Sequence, residues 1–291
     1  IVLMELLRPK VADFCCIYKK LVQYFAGFSK FFILQACFTT KTIMLKKERQ
    51  AFILHNVNLH NRVLSSDLSS AINVSEDTIR RDLQELSEHN KLIKVHGGAL
   101  SKSFHSSFNS SKVYAIENKK KIAQKAVSLI KDGMFVLTSG GTTIIELAKA
   151  LPENLHATFI TGSLPSAIEY MHHPNIDVII IGDKLSKNSQ ITVGGEAIAK
   201  IKQIKADICF VGTNALSLEH GLTDNDWEVV QVKKAMIEAS EKVVSLTISE
   251  KLNSTQPIRI CEINEIDILI TELDENDKLL KPYNKSGLTI I

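Results

Sequence analysis

The chain has 291 residues, of which 45% are hydrophobic and 23% charged, and a formal charge of +3. That length gives material for two modest domains, and five cysteines without a CxxC or Cys/His ligand spacing exclude a zinc module or a disulfide scaffold. The charge is uneven: residues 1–43 carry six Lys/Arg against two acids, 44–112 ten against seven, and 113–291 nineteen against twenty-three. A basic front before a mildly acidic body fits a polyanion-binding module joined to a small-molecule domain, in a reducing cytoplasm.

Taken in chain order, the first segment, residues 1–43, contains LVQYFAGFSKFFILQACF, the most membrane-like run in the sequence. Lys30 interrupts it, at ~2.5–3.5 kcal/mol for insertion, and its length barely reaches a spanning helix. Met44 then opens MLKKERQ, a natural start for a soluble helix. Residues 1–43 are therefore expected to be a non-native or disordered extension, with no membrane partner.

From Lys46 to Asn58, Phe52, Ile53, Leu54 and Val57 share a helical face. Leu64, Leu68, Ala71 and Ile72 predict a second helix capped by Ser65 or Ser66, and Asn73 ends it in the left-handed conformation that asparagine tolerates. Ser75 caps a third helix whose first turn holds Glu76 and Asp77 and whose core face is Ile79, Leu83 and Leu86. Its outer face offers Thr78, Arg80, Arg81 and Gln84, residue types that read a DNA groove. Then KLIKVHGGAL, with Lys94, His96, Gly97 and Gly98, has the form of a hairpin wing. An arginine pair alone is more often a solvated face, but cap, turn and wing in this order predict a winged helix-turn-helix over 44–100.

The serine-rich stretch SKSFHSSFNSSK, 101–112, reads as a linker. Beyond it, 113–291 alternates helical stretches with short apolar runs. An amphipathic helix is predicted over Lys119–Lys131, and MFVLT, ATFIT, DVIIIG, DICFVG, KVVSLTI and DILIT are strand candidates. Such runs imply a mostly parallel α/β sheet covered on both faces, with ligands at the carboxyl ends of the strands. The polar turns at those ends are TSGGTT (138–143), TGS (161–163), GTN (212–214) and GLTDND (221–226). In the first, Gly140 and Gly141 permit close backbone approach at a helix N-terminus, and Ser139, Thr142 and Thr143 add hydroxyls, so the loop suits an anion. It is neither a P-loop nor a GxGxxG fingerprint.

Thr78-Ile79-Arg80-Arg81-Asp82-Leu83 and Val95-His96-Gly97-Gly98-Ala99 resemble the DNA-binding signature of the DeoR-type family of bacterial regulators. The resemblance continues through Ser139–Thr143, Thr161–Pro165, Gly221-Leu222-Thr223 and Val232–Ile237, and so spans about 44–291. It implies a sensor domain resembling ribose-5-phosphate isomerase, operator DNA and a phosphorylated sugar as partners, and a homo-oligomer, dimer or higher. This chain departs from many members at Thr138, Gly162 and Asp183, where they carry Asp, Asn and Gly.

The competing reading is a sugar-phosphate isomerase, which needs a carboxylate base. The turn where such isomerases carry acids reads VGTNA here, without a carboxylate from Val211 to Ala215. Asp224, Asp226 and Glu228 follow, though they also suit a helix start. The expectation is thus a sensor without cofactor, metal or catalytic residues. Its effector site is Ser139, Gly140, Gly141, Thr142, Thr143, Thr161, Ser163, Gly212 and Asp224, with Lys233 and Lys251 for the ligand's charge.

Overall fold

The computed structural model describes residues 44–102, 113–284 and 286–291; the expected extension 1–43 and most of the linker lie outside them. Lys46–Ile291 form one compact unit. Its first part runs α1 (Lys46–His60), β1 (Arg62–Leu64), α2 (Ser65–Ile72), α3 (Glu76–Glu88), β2 (Ile93–Val95) and β3 (Gly98–Leu100). Ile53, Val57, Leu68, Ile79, Leu83, Leu86, Leu92 and Ala99 close a small core. Asn73 is left-handed (φ 52°, ψ 48°), and the Ser75 hydroxyl accepts the Thr78 N–H at 3.3 Å.

The second helix starts differently from the expectation. Leu64 belongs to a strand, not to the helix, and neither Ser65 nor Ser66 caps it. Pairing of Leu64 with Gly98 holds Leu64 extended, and the Ser65 N–H donates to the Gly97 carbonyl at 2.8 Å, so helical turns begin only after the bridge. The wing is consequently one part of a three-stranded antiparallel sheet, β1-β3-β2.

The remainder contains α4 (Ile116–Val127), β4 (Phe135–Thr138), α5 (Thr142–Ala150), β5 (Ala157–Thr161), α6 (Leu164–Met171), β6 (Ile176–Ile180), β7 (Lys184–Ser186), β8 (Ile191–Val193), α7 (Gly195–Ile201) and β9 (Ile208–Gly212). There follow β10 (Ala215–Ser217), β11 (Gly221–Asp224), α8 (Trp227–Glu238), β12 (Val243–Leu246), β13 (Ile258–Cys261), β14 (Ile268–Ile270), α9 (Lys281–Asn284) and β15 (Thr289–Ile290). Helix α4 begins and ends earlier than predicted. Ala115 turns into it with positive φ, and after Val127 the N–H groups of Ser128, Leu129 and Ile130 bond three residues back, tightening the chain out of the α-helix.

All six apolar runs enter one seven-stranded parallel sheet, β15-β14-β12-β9-β4-β5-β6. Alternate residues serve opposite faces: Val136, Phe210, Val244 and Ile270 meet α4 and α5, whereas Leu137, Val211, Val243 and Leu269 meet α7 and α8. Two short antiparallel sheets, β10-β11-β13 and β7-β8, are added to it. From β4 the chain builds outward through β5 and β6, then returns to place β9 on the other flank of β4. The carboxyl ends of β4 and β9 therefore form a topological switch point, where open α/β sheets have room for a ligand. Among the described residues no helix is long and apolar enough to cross a membrane.

Candidate functional site

The third helix is fixed from behind. Arg49 of α1 meets Asp82 of α3 in a two-pronged ion pair, Nε to Oδ2 at 2.5 Å and a second nitrogen to Oδ1 at 3.2 Å, with both side chains largely buried. The outward residues are solvent-facing: among the described residues Arg80 and Arg81 pair with their own i−4 acids, Glu76 at 3.2 Å and Asp77 at 2.7 Å. Such exposed pairs are weak and readily exchanged for phosphates. Lys94 on the wing donates to Gln84 at 2.9 Å, so wing and helix present one surface, with His96 and Gly97 exposed at its tip. Gly98 is buried instead; a Cβ there would lie 2.0 Å from the Val63 carbonyl oxygen, which makes its contribution the close pairing of β3 with β1. Ser75 and Thr78 hydroxyls bond each other at 2.9 Å at the helix start.

At the switch point a cavity of about 120 Å³ opens, lined by Gly140, Gly141, Thr142, Thr143, Gly212, Asp224, Lys233 and Lys251 from the expected set. That is space on the order of four waters at ~30 Å³ each. Gly141 has φ 116°, and a Cβ there would face open space, so the backbone at the start of α5 is accessible. The first-turn N–H groups of α5 carry the positive end of the helix dipole. Gly212 is needed for packing, since a Cβ would sit 2.8 Å from the Gly140 carbonyl.

Three expected residues do not line the cavity, because their hydroxyls are engaged in building its walls. Ser139 Oγ accepts the Gly212 N–H at 2.8 Å and joins the two strand ends. Thr161 Oγ1 donates to the Thr138 carbonyl at 2.9 Å, and Ser163 caps α6 by accepting from Ser166 N–H. The three positions that depart from the family pattern are structural as well. Thr138 Oγ1 accepts from Tyr170, a Cβ at Gly162 would strike Thr192 Oγ1, and the Asp183 carboxylate accepts N–H groups of Lys184, Glu196 and Ala197 at the start of α7.

The charge in the cavity comes from deeper than lysine residues usually sit. Lys233 is buried and donates to Asp224 at 2.8 Å and to the Gly212 carbonyl at 2.9 Å. Burial raises the Asp224 pKa, yet the Lys233 ammonium and bonds from Asn214 and Asn225 hold it below the ordinary carboxylate range. Lys251 donates to the Thr213 carbonyl at 2.6 Å; burial, then Lys119 and Lys233, push its pKa down to about 7. Lys119, which the sequence reading overlooked, donates to the Tyr114 carbonyl at 2.6 Å and is pushed by burial to about 8. It shares the inward face of α4 with Ile122, Ala123 and Ala126, a spacing that could have marked it.

Asp224 and Asp226 are the carboxylates on the lining. The first is paired with Lys233, and the second caps α8 by accepting the Glu228 and Val229 N–H groups. Two buried side-chain oxygens on the lining, Ser189 Oγ and Asn214 Oδ1, have no hydrogen-bond partner among the described residues. Such atoms are rare in native proteins, and a water or a ligand group can satisfy them. Elsewhere, burial raises Cys209 and Cys261 to about 12, as expected of inert thiols.

Two family profiles match the chain: a DeoR-like helix-turn-helix domain over residues 49–104 and a DeoR C terminal sensor domain over residues 114–273. The chain is 33% identical over 250 residues to the HTH-type transcriptional regulator GolR of Listeria innocua, covering 85% of this chain and 98% of that protein. It is also 33% identical to the HTH-type transcriptional repressor GlcR of Bacillus subtilis, over 85% of this chain and 96% of that one. Ribose 5 phosphate isomerase A from Neisseria gonorrhoeae superposes with a TM-score of 0.35 at 16% identity, over 47% of this chain and 53% of that chain. That likeness is too slight to carry an activity across.

Proposed function

The chain belongs to the DeoR family of helix-turn-helix transcriptional regulators, and from that premise we propose that it represses a carbohydrate operon under the control of a phosphorylated sugar. The reading head binds operator DNA through α3 and the wing, with Thr78, Arg80, Arg81, Gln84, Lys94 and His96 toward the grooves and phosphates. Paired recognition helices require a dimer or a higher oligomer. The protein works in the cytoplasm, where its target lies.

One observation carries the effector class: two buried lysines, Lys119 and Lys233, a half-buried Lys251 and an open helix N-terminus converge on a cavity in which one ammonium, Lys233, is balanced by Asp224. Buried cations are costly unless a counter-anion joins them, so the cavity favours a dianion. Ser189 Oγ and Asn214 Oδ1 supply partners for sugar hydroxyls. A sensor is favoured over an isomerase because both lining carboxylates are already engaged, Asp224 by Lys233 and Asp226 by the α8 N-terminus, which leaves neither poised as a base.

Thermal unfolding measured with ribose 5-phosphate, glucose 6-phosphate and related esters tests this. A cognate ligand at ~100 times its dissociation constant adds ~2.7 kcal/mol of stability. Gly141→Val, which forces a β-branched residue to positive φ beside the ligand, should abolish the shift while operator binding persists. A panel of sugar phosphates that leaves the melting temperature unmoved speaks against the reading.

A further inference from the structure

The lining of the sensor cavity is not supplied by the sensor alone. The corner between α1 and β1 of the reading head forms one wall, with Asn58, His60, Asn61 and Arg62 on it. Leu59 is buried among Ile122, Ile144 and Ile248 in the core on the α4–α5 face of the sheet, so the corner is anchored rather than loosely apposed. His60 Nδ1 lies 3.2 Å from Gln256 Nε2. His55, one turn back, faces Glu250 at 3.6 Å, and the Tyr114 hydroxyl donates to the same Glu250.

Glu250 and Lys251 are neighbours in the 3₁₀ turn Ser249–Lys251. One reaches the head and the next reaches into the cavity, so a movement of the turn that carries Lys251 toward an anion also carries the group that holds His55. At the other end of α1, Arg49 grips Asp82 of α3 and Lys46 pairs with Glu85 at 2.6 Å. Helix α1 has 15 residues and no glycine or proline, a stiff rod of ~22 Å between cavity and recognition helix.

We propose that the reading head is itself part of the effector site: a sugar phosphate held by Lys119 and Lys251 also contacts His60 and Arg62, and its occupancy sets the position of α3 through α1. The inference rests on the anion-binding reading above and adds that the ligand is shared between head and sensor. A ligand can bias a two-state protein only by touching the states differently, and a group bridging head and sensor does so directly.

The test uses the full chain with glucose 6-phosphate and ribose 5-phosphate as probes, read by calorimetry, by amide hydrogen exchange and by the factor by which each probe alters operator affinity. Arg62→Gln and His60→Ala should each weaken the better probe at least fivefold and shrink its effect on operator affinity. In the unsubstituted protein that probe should slow exchange across residues 55–62, and Lys251→Met should lose both binding and protection. Arg62 is exposed, so its substitution is not expected to impair folding. If the probes bind through Lys251 but neither head variant alters affinity and residues 55–62 gain no protection, the shared site is overturned while the anion-binding reading stands. If neither probe binds the unsubstituted protein, both fall.

Discussion

The two halves of the molecule handle positive charge in opposite ways. In the reading head, Arg80 and Arg81 have side chains 62% and 81% exposed and rest on acids four residues back. In the sensor, the Lys233 side chain is 7% exposed, and Lys119 and Lys251 are deep enough for burial to lower their pKa values to about 8 and about 7. Exposed cations on long stems suit an extended polyanion, whose atmosphere of counterions they displace and whose contacts salt weakens. Buried cations held by backbone carbonyls suit one small dianion whose charges repay their lost hydration. On the proposed function, the difference separates a surface for sequence reading from a cavity for sensing.

The contrast can be tested from the strongest expected effect to the weakest. The exception in the head is Asp82, whose buried pair with Arg49 orients α3. Asp82→Ala should lower stability by ~3–5 kcal/mol, as breaking one side of a buried pair does, and chemical denaturation measures it. A loss near the level of a surface pair would mean that the helix is not held this way.

Arg81→Ala should weaken operator binding by ~1–3 kcal/mol with relaxed specificity if it reads a base, or flatten the salt dependence by about one ion if it meets a phosphate. Titrations at several salt concentrations distinguish the two. Unchanged affinity for both Arg80→Ala and Arg81→Ala would remove α3 from the interface.

The sensor should respond to pH instead. Lys251 and Lys119 are depressed from an ordinary 10.5 to about 7 and about 8, and a bound dianion raises both. Above pH 7 the complex therefore holds more protons than the free protein, and affinity falls as pH rises. Calorimetry between pH 7 and 9 should show a fall that approaches tenfold per pH unit, ~1.4 kcal/mol, for each proton taken up on binding. The ligand-free protein should show the reverse trend. Its folded-state pKa values lie below the unfolded ones, so the unfolded chain binds more protons between about pH 7 and the ordinary 10.5. These lysines thus add stability as pH rises through that window and remove it as pH falls through the folded values.

Weakest of all, Asp77→Ala, which removes the i,i+4 partner of Arg81, should change stability by only ~0.3–0.5 kcal/mol.

Much of this arrangement was legible in the sequence wherever a pattern is local. Asn73 marks the end of the second helix, Ser75 the start of the third, and the spacing of Ile79, Leu83 and Leu86 its core face. The six apolar runs marked strands because a parallel sheet buried on both faces needs continuous apolar residues. Strands β10, β11 and β15 lie in no comparable continuous apolar run and so do not stand out. Among site residues, the glycine loop was visible because its chemistry is contiguous. In sequence Ser139, Thr161 and Ser163 look identical to ligand-facing hydroxyls, but the first two are held by partners on neighbouring strands and Ser163 by the start of its own helix. Lys119 was hidden in a run of three lysines, of which the helix turns one inward. His60 could not be found locally at all: its partner Gln256 is 196 residues away.

On the proposed function, Lys119, Lys233, Lys251 and the glycine loop make an anion cradle that senses rather than transforms its ligand. The most direct measurement is calorimetry of matched pairs, glucose with glucose 6-phosphate and ribose with ribose 5-phosphate, run beside an assay for isomerised product. Charge-assisted bonds are worth ~1.5–3 kcal/mol each, so losing several together should leave the free sugars without measurable binding while a phosphorylated partner binds and is recovered unchanged. Equal binding of a sugar and its phosphate would contradict the cradle, and turnover at enzyme-like rates would contradict the sensor.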